Sequence, residues 1–124
     1  SVKEIKGYKN YISVDGGMTD NPRYTLYESP YTIMLASRPC DKADFTATIA
    51  GRCCESGDII QENVTLPKPK RNEILAVLTT GAYNYSMASN YNRIPRPPVV
   101  MLKGGESYVA VRRESFEDIV SLDE

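Results

Sequence analysis

Apolar positions along this chain come in short bursts divided by polar and glycine-rich breaks, a rhythm that predicts strands rather than long helices. Residues 2–5 and 11–14 flank Gly7-Tyr8-Lys9-Asn10 and read as a hairpin around a turn. Asp15-Gly16-Gly17-Met18 ends it and Asp20-Asn21-Pro22 prolongs the break, so a first loop begins there. Residues 31–37 and 45–50, rich in Thr, Ile and aromatics, predict two more strands on either side of a polar connection that contains Pro39. After Gly51, the run Arg52-Cys53-Cys54-Glu55-Ser56-Gly57-Asp58 is too small and polar for core-facing alternation, which predicts a second loop at a strand end.

Further along, Leu66-Pro67-Lys68-Pro69-Lys70-Arg71 is too proline-rich for a central strand, whereas residues 73–79 predict a buried one through Ile74, Leu75, Val77 and Leu78. That strand delivers the chain into Gly81-Ala82-Tyr83-Asn84-Tyr85-Ser86-Met87, a third loop or helical turn. Residues 99–102 and 107–112 surround Lys103-Gly104-Gly105-Glu106, whose Gly-Gly centre is a hairpin signal. Ser115 followed by Asp118 predicts a capped closing helix with Phe116, Ile119 and Val120 on one side. The sum is an all-β fold: a Greek-key-like β-sandwich or partly closed barrel with a short C-terminal helix, in one domain spanning residues 1–124.

Composition narrows the function classes. A chain of 124 residues closes one modest core, and a net charge of −1 without any Lys/Arg stripe argues against nucleic acid as a partner. Apolar runs are strand-sized, far short of the roughly 20 residues a bilayer needs, and no leader precedes them; the expectation is a cytoplasmic protein without a membrane partner. Three cysteines, two of them adjacent, argue against a disulfide scaffold. Histidine is absent, which removes the usual general base and the commonest zinc ligand, so no metal site is expected. Nine tyrosines supply flat apolar surface with a hydrogen-bonding tip, which suits a polar ligand pocket and a sheet surface equally.

Chemistry therefore falls to the loops. In the first, Arg23 and Tyr27 could fork onto a carboxylate while a phenol closes the other side; an arginine after proline is also common on solvated surfaces. In the second, Cys54 beside Glu55, with Ser56, Gly57 and Asp58 following, joins a potential thiol acid to two carboxylates in an approachable backbone, although a cysteine at a strand end also serves as a small core residue. In the third, Tyr83 has Tyr85, Ser86, Tyr91 and Asn92 nearby, a set able to stack on a planar ligand or simply to pack.

One family carries all three loops in this order. Val14-Asp15-Gly16-Gly17-Met18 with Asn21-Pro22-Arg23 and Leu26-Tyr27, then Cys54-Glu55-Ser56-Gly57-Asp58, then Gly81-Ala82-Tyr83 with residues 86–92, resemble the C-terminal β-domain of the diaminopimelate decarboxylases. The likeness spans essentially the whole chain, and the Cys-Glu-Ser-Gly-Asp run is its most diagnostic part. Departures are small: Tyr24 stands where proline frequently follows the arginine, and Asn84 where glycine or cysteine often follows Gly-Ala-Tyr.

The resemblance implies a lyase that converts meso-diaminopimelate to L-lysine and carbon dioxide, with pyridoxal 5'-phosphate on an N-terminal barrel domain and active sites at the interface of a head-to-tail homodimer. By that pattern Arg23 and Tyr27 bind the amino-acid substrate, Tyr83 contacts substrate and cofactor, and Cys54, the proton donor, reaches with Glu55 into the partner subunit's site. Ornithine decarboxylases, by the same resemblance, carry Cys-Asp at the Cys54-Glu55 position, so Glu55 favours diaminopimelate. No lysine here sits in the family's cofactor-anchoring context, which leads us to expect this stretch alone to be inactive. In the family the β-domain also borrows strand material from the distant start of the chain, so an unpaired sheet edge is expected. Two alternatives stand beside this reading. One is a domain of an ornithine, arginine or carboxynorspermidine-type decarboxylase; the other is a non-catalytic β-sandwich interaction module.

Overall fold

A computed structural model describes residues 1–124. Four strands form the main sheet in the order β1-β2-β4-β5: β1 (Val2–Glu4), β2 (Asn10–Ser13), β4 (Phe45–Ala50) and β5 (Ile59–Leu66). A second sheet pairs β3 (Ile33–Leu35) with β6 (Leu75–Val77), and a third is the hairpin of β7 (Val99–Lys103) and β8 (Glu106–Val111). Ile33 and Leu35 from β3 pack with Ile12, Phe45, Ala47, Ile49, Ile60, Val64 and Leu66 from the main sheet. The core thus lies between two sheets that do not close on each other, which makes the fold an open sandwich and sets the barrel alternative aside. No helix is long and apolar enough to cross a membrane.

Both sequence-predicted hairpins form. β1 and β2 pair antiparallel, and Gly104 and Gly105 both take positive φ (60° and 83°) in the β7–β8 turn, the backbone that a tight two-residue hairpin demands. The closing helix α3 (Phe116–Ile119) carries a capping box in which Ser115 and Asp118 satisfy each other's backbone N–H groups.

Other expectations change. The 15–22 break leads into an unforeseen short helix, α1 (Arg23–Tyr27), closed by Glu28 in the left-handed region; α2 (Asn84–Met87) resolves the third loop as a helical turn. Residues 73–79 yield only three paired residues, half-buried rather than buried, with Ile74 66% exposed. The longest strand, β5, was hidden by its sequence, because two register shifts against β4 break the simple alternation. Asn63 (φ 55°) marks one irregular site, and the two extra residues together restore parity, so Ile60, Val64 and Leu66 share the core face. The apolar side of α3 faces outward, with Phe116 72% exposed.

The β2–β4 pairing is parallel, so the chain between them must cross over. That crossover carries the first loop, α1 and β3, and it brings the end of β2 beside the turn that follows β4. Ile49, 1% exposed on β4, lies at the centre of the packing. Replacing Ile49 with alanine is expected to cost about 2–5 kcal/mol and Ile49→Val about 0.5–1.5 kcal/mol, read as shifts in urea midpoint at constant slope. Equal effects from the two would contradict this placement.

Candidate functional site

Three loops meet at the end of the sandwich where β2 and β4 finish. The turn between β4 and β5 closes through Gly51 N–H, which donates to Asp58 O at 2.9 Å, and Asp58 N–H, which donates to Glu55 O at 3.1 Å. Inside it the Asp58 side chain is 3% exposed. One carboxylate oxygen accepts from Met18 N–H at 2.6 Å and the other from Cys53 N–H at 2.6 Å, so the first and second loops share one anchor. Thr25 of α1 adds a second tie by donating its hydroxyl to Gly57 O. Ser89 N–H donates to Thr19 O at 2.9 Å and joins the third loop to the first.

These ties bring Arg23, Tyr27 and Tyr83 together. The Arg23 guanidinium lies 5.5 Å from the Tyr27 ring centre and 4.9 Å from that of Tyr83, and it approaches Met87 Sδ at 3.9 Å. Asn21 Oδ1 accepts from Arg23 N–H at 3.2 Å and fixes the start of the helix. Three arginines of this chain are half-buried: Arg23, Arg38 and Arg96. Arg38 pairs with Glu73 and Asp41, and Arg96 pairs with Glu114; no carboxylate pairs with Arg23. Its charge is framed by aromatic faces and meets no acid within the chain.

The two cysteines of the second loop diverge. Cys53 is half-buried, and burial together with the Asp58 carboxylate pushes its thiol up, with the Asn92 side chain opposing. Cys54 is exposed, as is Glu55, whose carboxylate accepts weakly from Ser56 Oγ (3.3 Å) and Gly57 N–H (3.4 Å). No hydrogen bond or ion pair joins Cys54 or Glu55 to the Arg23 cluster. Cys40, far along the chain in the turn after β3, is also a free exposed thiol.

Tyr83 is 60% exposed and its hydroxyl has no partner within the chain, while its backbone carbonyl accepts from Met87 N–H and the Ser86 hydroxyl. Tyr85, by contrast, lies under the Arg96 guanidinium at 5.9 Å and faces a groove. That groove, about 1420 Å³, opens between the main sheet, the 69–77 segment and residues 97–100. None of Arg23, Tyr27, Cys54, Glu55 or Tyr83 lines it. Tyr27, Cys54, Glu55 and Tyr83 are instead exposed on their loops, and Arg23 is half-buried between the two tyrosines.

Sequence reasoning took Asp58 for a second approachable carboxylate beside Cys54; the structure corrects this, because Asp58 is buried and both its oxygens are occupied by backbone amides. Sequence reasoning missed the support under the third loop. Glu114 accepts from Arg96 Nε (2.7 Å), Arg96 N–H (2.8 Å) and Asn90 Nδ2 (2.6 Å), which pins residues 90–96 to the segment before α3. Arg96, through side chain and backbone, holds the Glu114 carboxyl down at about 2, with Asn90 assisting. A depressed carboxyl stabilises the fold above its ordinary value of 4.5, and this contribution drains away as pH falls toward about 2. The third loop is therefore expected to loosen in that acid window, seen as faster amide exchange across residues 89–94. Glu114→Gln should abolish the step, and an unchanged acid transition in that variant would reject the assignment.

Comparison with known proteins gives the chain a family. The family model described as pyridoxal-dependent decarboxylase, C-terminal sheet domain, matches residues 1–81. A diaminopimelate decarboxylase of Bacillus subtilis is 52% identical over 123 residues, covering 99% of this chain and 28% of that protein. The crystal structure of diaminopimelate decarboxylase from M. jannaschii in co-complex with L-lysine superposes with a TM-score of 0.90 at 30% identity, over 100% of this chain and 28% of that one. A lysine/ornithine decarboxylase from Vibrio vulnificus, complexed with cadaverine, shares the fold at a TM-score of 0.65 and 23% identity over 77% of this chain and 26% of its own. This chain thus spans about 28% of the length of the curated relatives it matches.

Proposed function

The chain belongs to the C-terminal sheet-domain family of pyridoxal-dependent decarboxylases, and on that premise we propose that it serves a cytoplasmic diaminopimelate decarboxylase as the substrate-recognising β-domain. In this reading residues 1–124 form the domain that follows a barrel domain, and two subunits complete each other's sites head to tail. The substrate, meso-diaminopimelate, carries at its far end both a carboxylate and an ammonium. The observation that carries the reading is the Arg23 guanidinium, half-buried between Tyr27 and Tyr83 and without an acidic partner.

Each residue then has a chemical task. Arg23 forks onto the distal carboxylate, a charge-assisted contact of about 1.5–3 kcal/mol. Tyr27 and Tyr83 flank the guanidinium with their rings and hold it in place for that contact. Glu55, projecting from a neighbouring turn, takes the distal ammonium in the partner's site; its lack of any bond to the Arg23 cluster supports action across an interface. Cys54, exposed beside it, donates its Sγ proton to the α-carbon that has lost carbon dioxide. A substrate without a distal carboxylate, such as ornithine, would leave Arg23 without its anion.

Tyr83 fits pyridoxal phosphate through its exposed ring and its free hydroxyl, which can meet a planar cofactor edge-on or hydrogen-bond to it. Pyridoxal phosphate, when bound, supplies the electron sink for decarboxylation. No lysine lies among the three loops, so its anchoring amine is assigned to the barrel domain.

The full-length protein is expected to release carbon dioxide from meso-diaminopimelate, with L-lysine as product, and to ignore ornithine. Arg23→Ala should raise KM roughly 10–100-fold, and Cys54→Ala should lower kcat by about 10²–10⁴. Turnover that is indifferent to both substitutions would make the chain a non-catalytic module instead.

A further inference from the structure

The most constrained side chain of the loop cluster is none of the five assigned to substrate or cofactor. Asp58 is 3% exposed and spends both carboxylate oxygens on backbone amides, Met18 N–H and Cys53 N–H, each at 2.6 Å. Those amides lie 40 and 5 positions away in sequence, so the carboxylate is a bridge between loops and not a local cap. Cys53 immediately precedes Cys54, and Met18 begins the stretch that runs through Asn21 into the Arg23 helix.

Two glycines make the bridge feasible. A Cβ on Gly17 or on Gly51 would fall well inside contact distance of the Asp58 carboxylate. Neither glycine has a positive φ, so the requirement at both is space and not backbone conformation. The pocket they leave takes a carboxylate and little more: a glutamate would bring an extra methylene against two backbones. Asparagine fits the volume, yet it offers one acceptor to two donors and turns an NH2 toward an N–H.

We propose that Asp58 is a positioning residue of the decarboxylation site, fixing the Cys54 turn against the loop that leads to Arg23 so that one rigid unit offers the thiol to the α-carbon in the partner subunit's site and the guanidinium to its own subunit's substrate. This rests on the function proposed above for Cys54. Asp58 touches neither substrate nor cofactor; it acts through the backbone of Cys53 and Met18. Loss of one of its bonds leaves an unpaired buried amide and frees the thiol turn to shift relative to the helix.

The test uses the full-length holoenzyme carrying Asp58→Asn, with kcat, KM, cofactor absorbance, melting temperature and amide exchange measured together. Expected are faster exchange at residues 17–18 and 53–54, normal cofactor loading, and a kcat reduced about tenfold or more with KM changed less. Gly51→Ala, which crowds the same carboxylate from its other flank, should reproduce that split in the Asp58 protein and add no further loss of kcat to Asp58→Ala. Unchanged exchange at the two amides would overturn the bridge. A lower melting temperature with full kcat per bound cofactor would reduce Asp58 to a structural part and overturn the proposal. Cys54→Ala run in parallel separates the two readings: if it abolishes turnover while Asp58→Asn leaves kcat intact, only the positioning role falls. Full turnover in Cys54→Ala removes the proton-donor reading and the positioning role with it.

Discussion

A carboxylate withdrawn from water loses several kcal/mol of hydration unless hydrogen bonds replace it, and Asp58 recovers this from two amides on different loops. The consequence reaches beyond one side chain. Because neither loop supplies both donors, Asp58 is satisfied only when the end of β2 and the turn after β4 have arrived side by side. The parallel β2–β4 ladder brings them there, and Val14 N–H donating to Ala50 O at 2.9 Å continues that ladder to the edge of the loops. Fold and site are thus coupled through a polar contact that the apolar core alone would not specify.

The same logic divides the charged residues. Arg38, Arg93, Arg96 and Arg112 each meet a carboxylate and stitch loops or termini together. The exposed pairs among these contribute little, since solvent screens them and side-chain entropy opposes them. The half-buried Glu114 network matters more because it satisfies a backbone amide and an asparagine as well as a guanidinium. Arg23 stands apart. It is half-buried like Arg38 and Arg96 but has rings and a thioether where they have acids, an environment that retains a cation without neutralising it.

Local signals were legible in the sequence, and non-local ones were not. Gly104-Gly105 and the Ser115/Asp118 box determine their own backbone within a few residues, so the last hairpin and the closing helix could be read directly. β5 could not, because its irregularities against β4 break the period that pattern reading depends on. α1 was invisible for a related reason: five residues that begin after a proline and bury nothing show no apolar face. At the site, Arg23 and Met87 touch across 64 positions, a separation over which spacing carries no information about proximity. Only the family resemblance joined the three loops beforehand, and it named the residues that face outward. Asp58 was read as an approachable carboxylate because, in a run of small polar residues, nothing distinguishes a solvated aspartate from one with glycine backbones packed around it.

The surface left over bears on why such a site sits where it does. Leu102 is 79% exposed, its neighbours Val100, Met101, Tyr108 and Val109 are exposed along the same hairpin, and the apolar side of α3 also faces solvent. A chain with so much uncovered apolar area derives its stability from a core confined to the two-sheet interface. The catalytic candidates share that exposure, lying on a face outside the main groove. A site built this way cannot exclude water by itself, and a decarboxylation that ends in proton transfer from a thiol requires a dry, oriented contact. The rigid part of the arrangement must therefore lie beneath the exposed side chains. Asp58, packed between Gly17 and Gly51 and bonded to an amide of each loop, is the contact of this chain that fixes the backbone beneath both the Cys54 turn and the approach to Arg23.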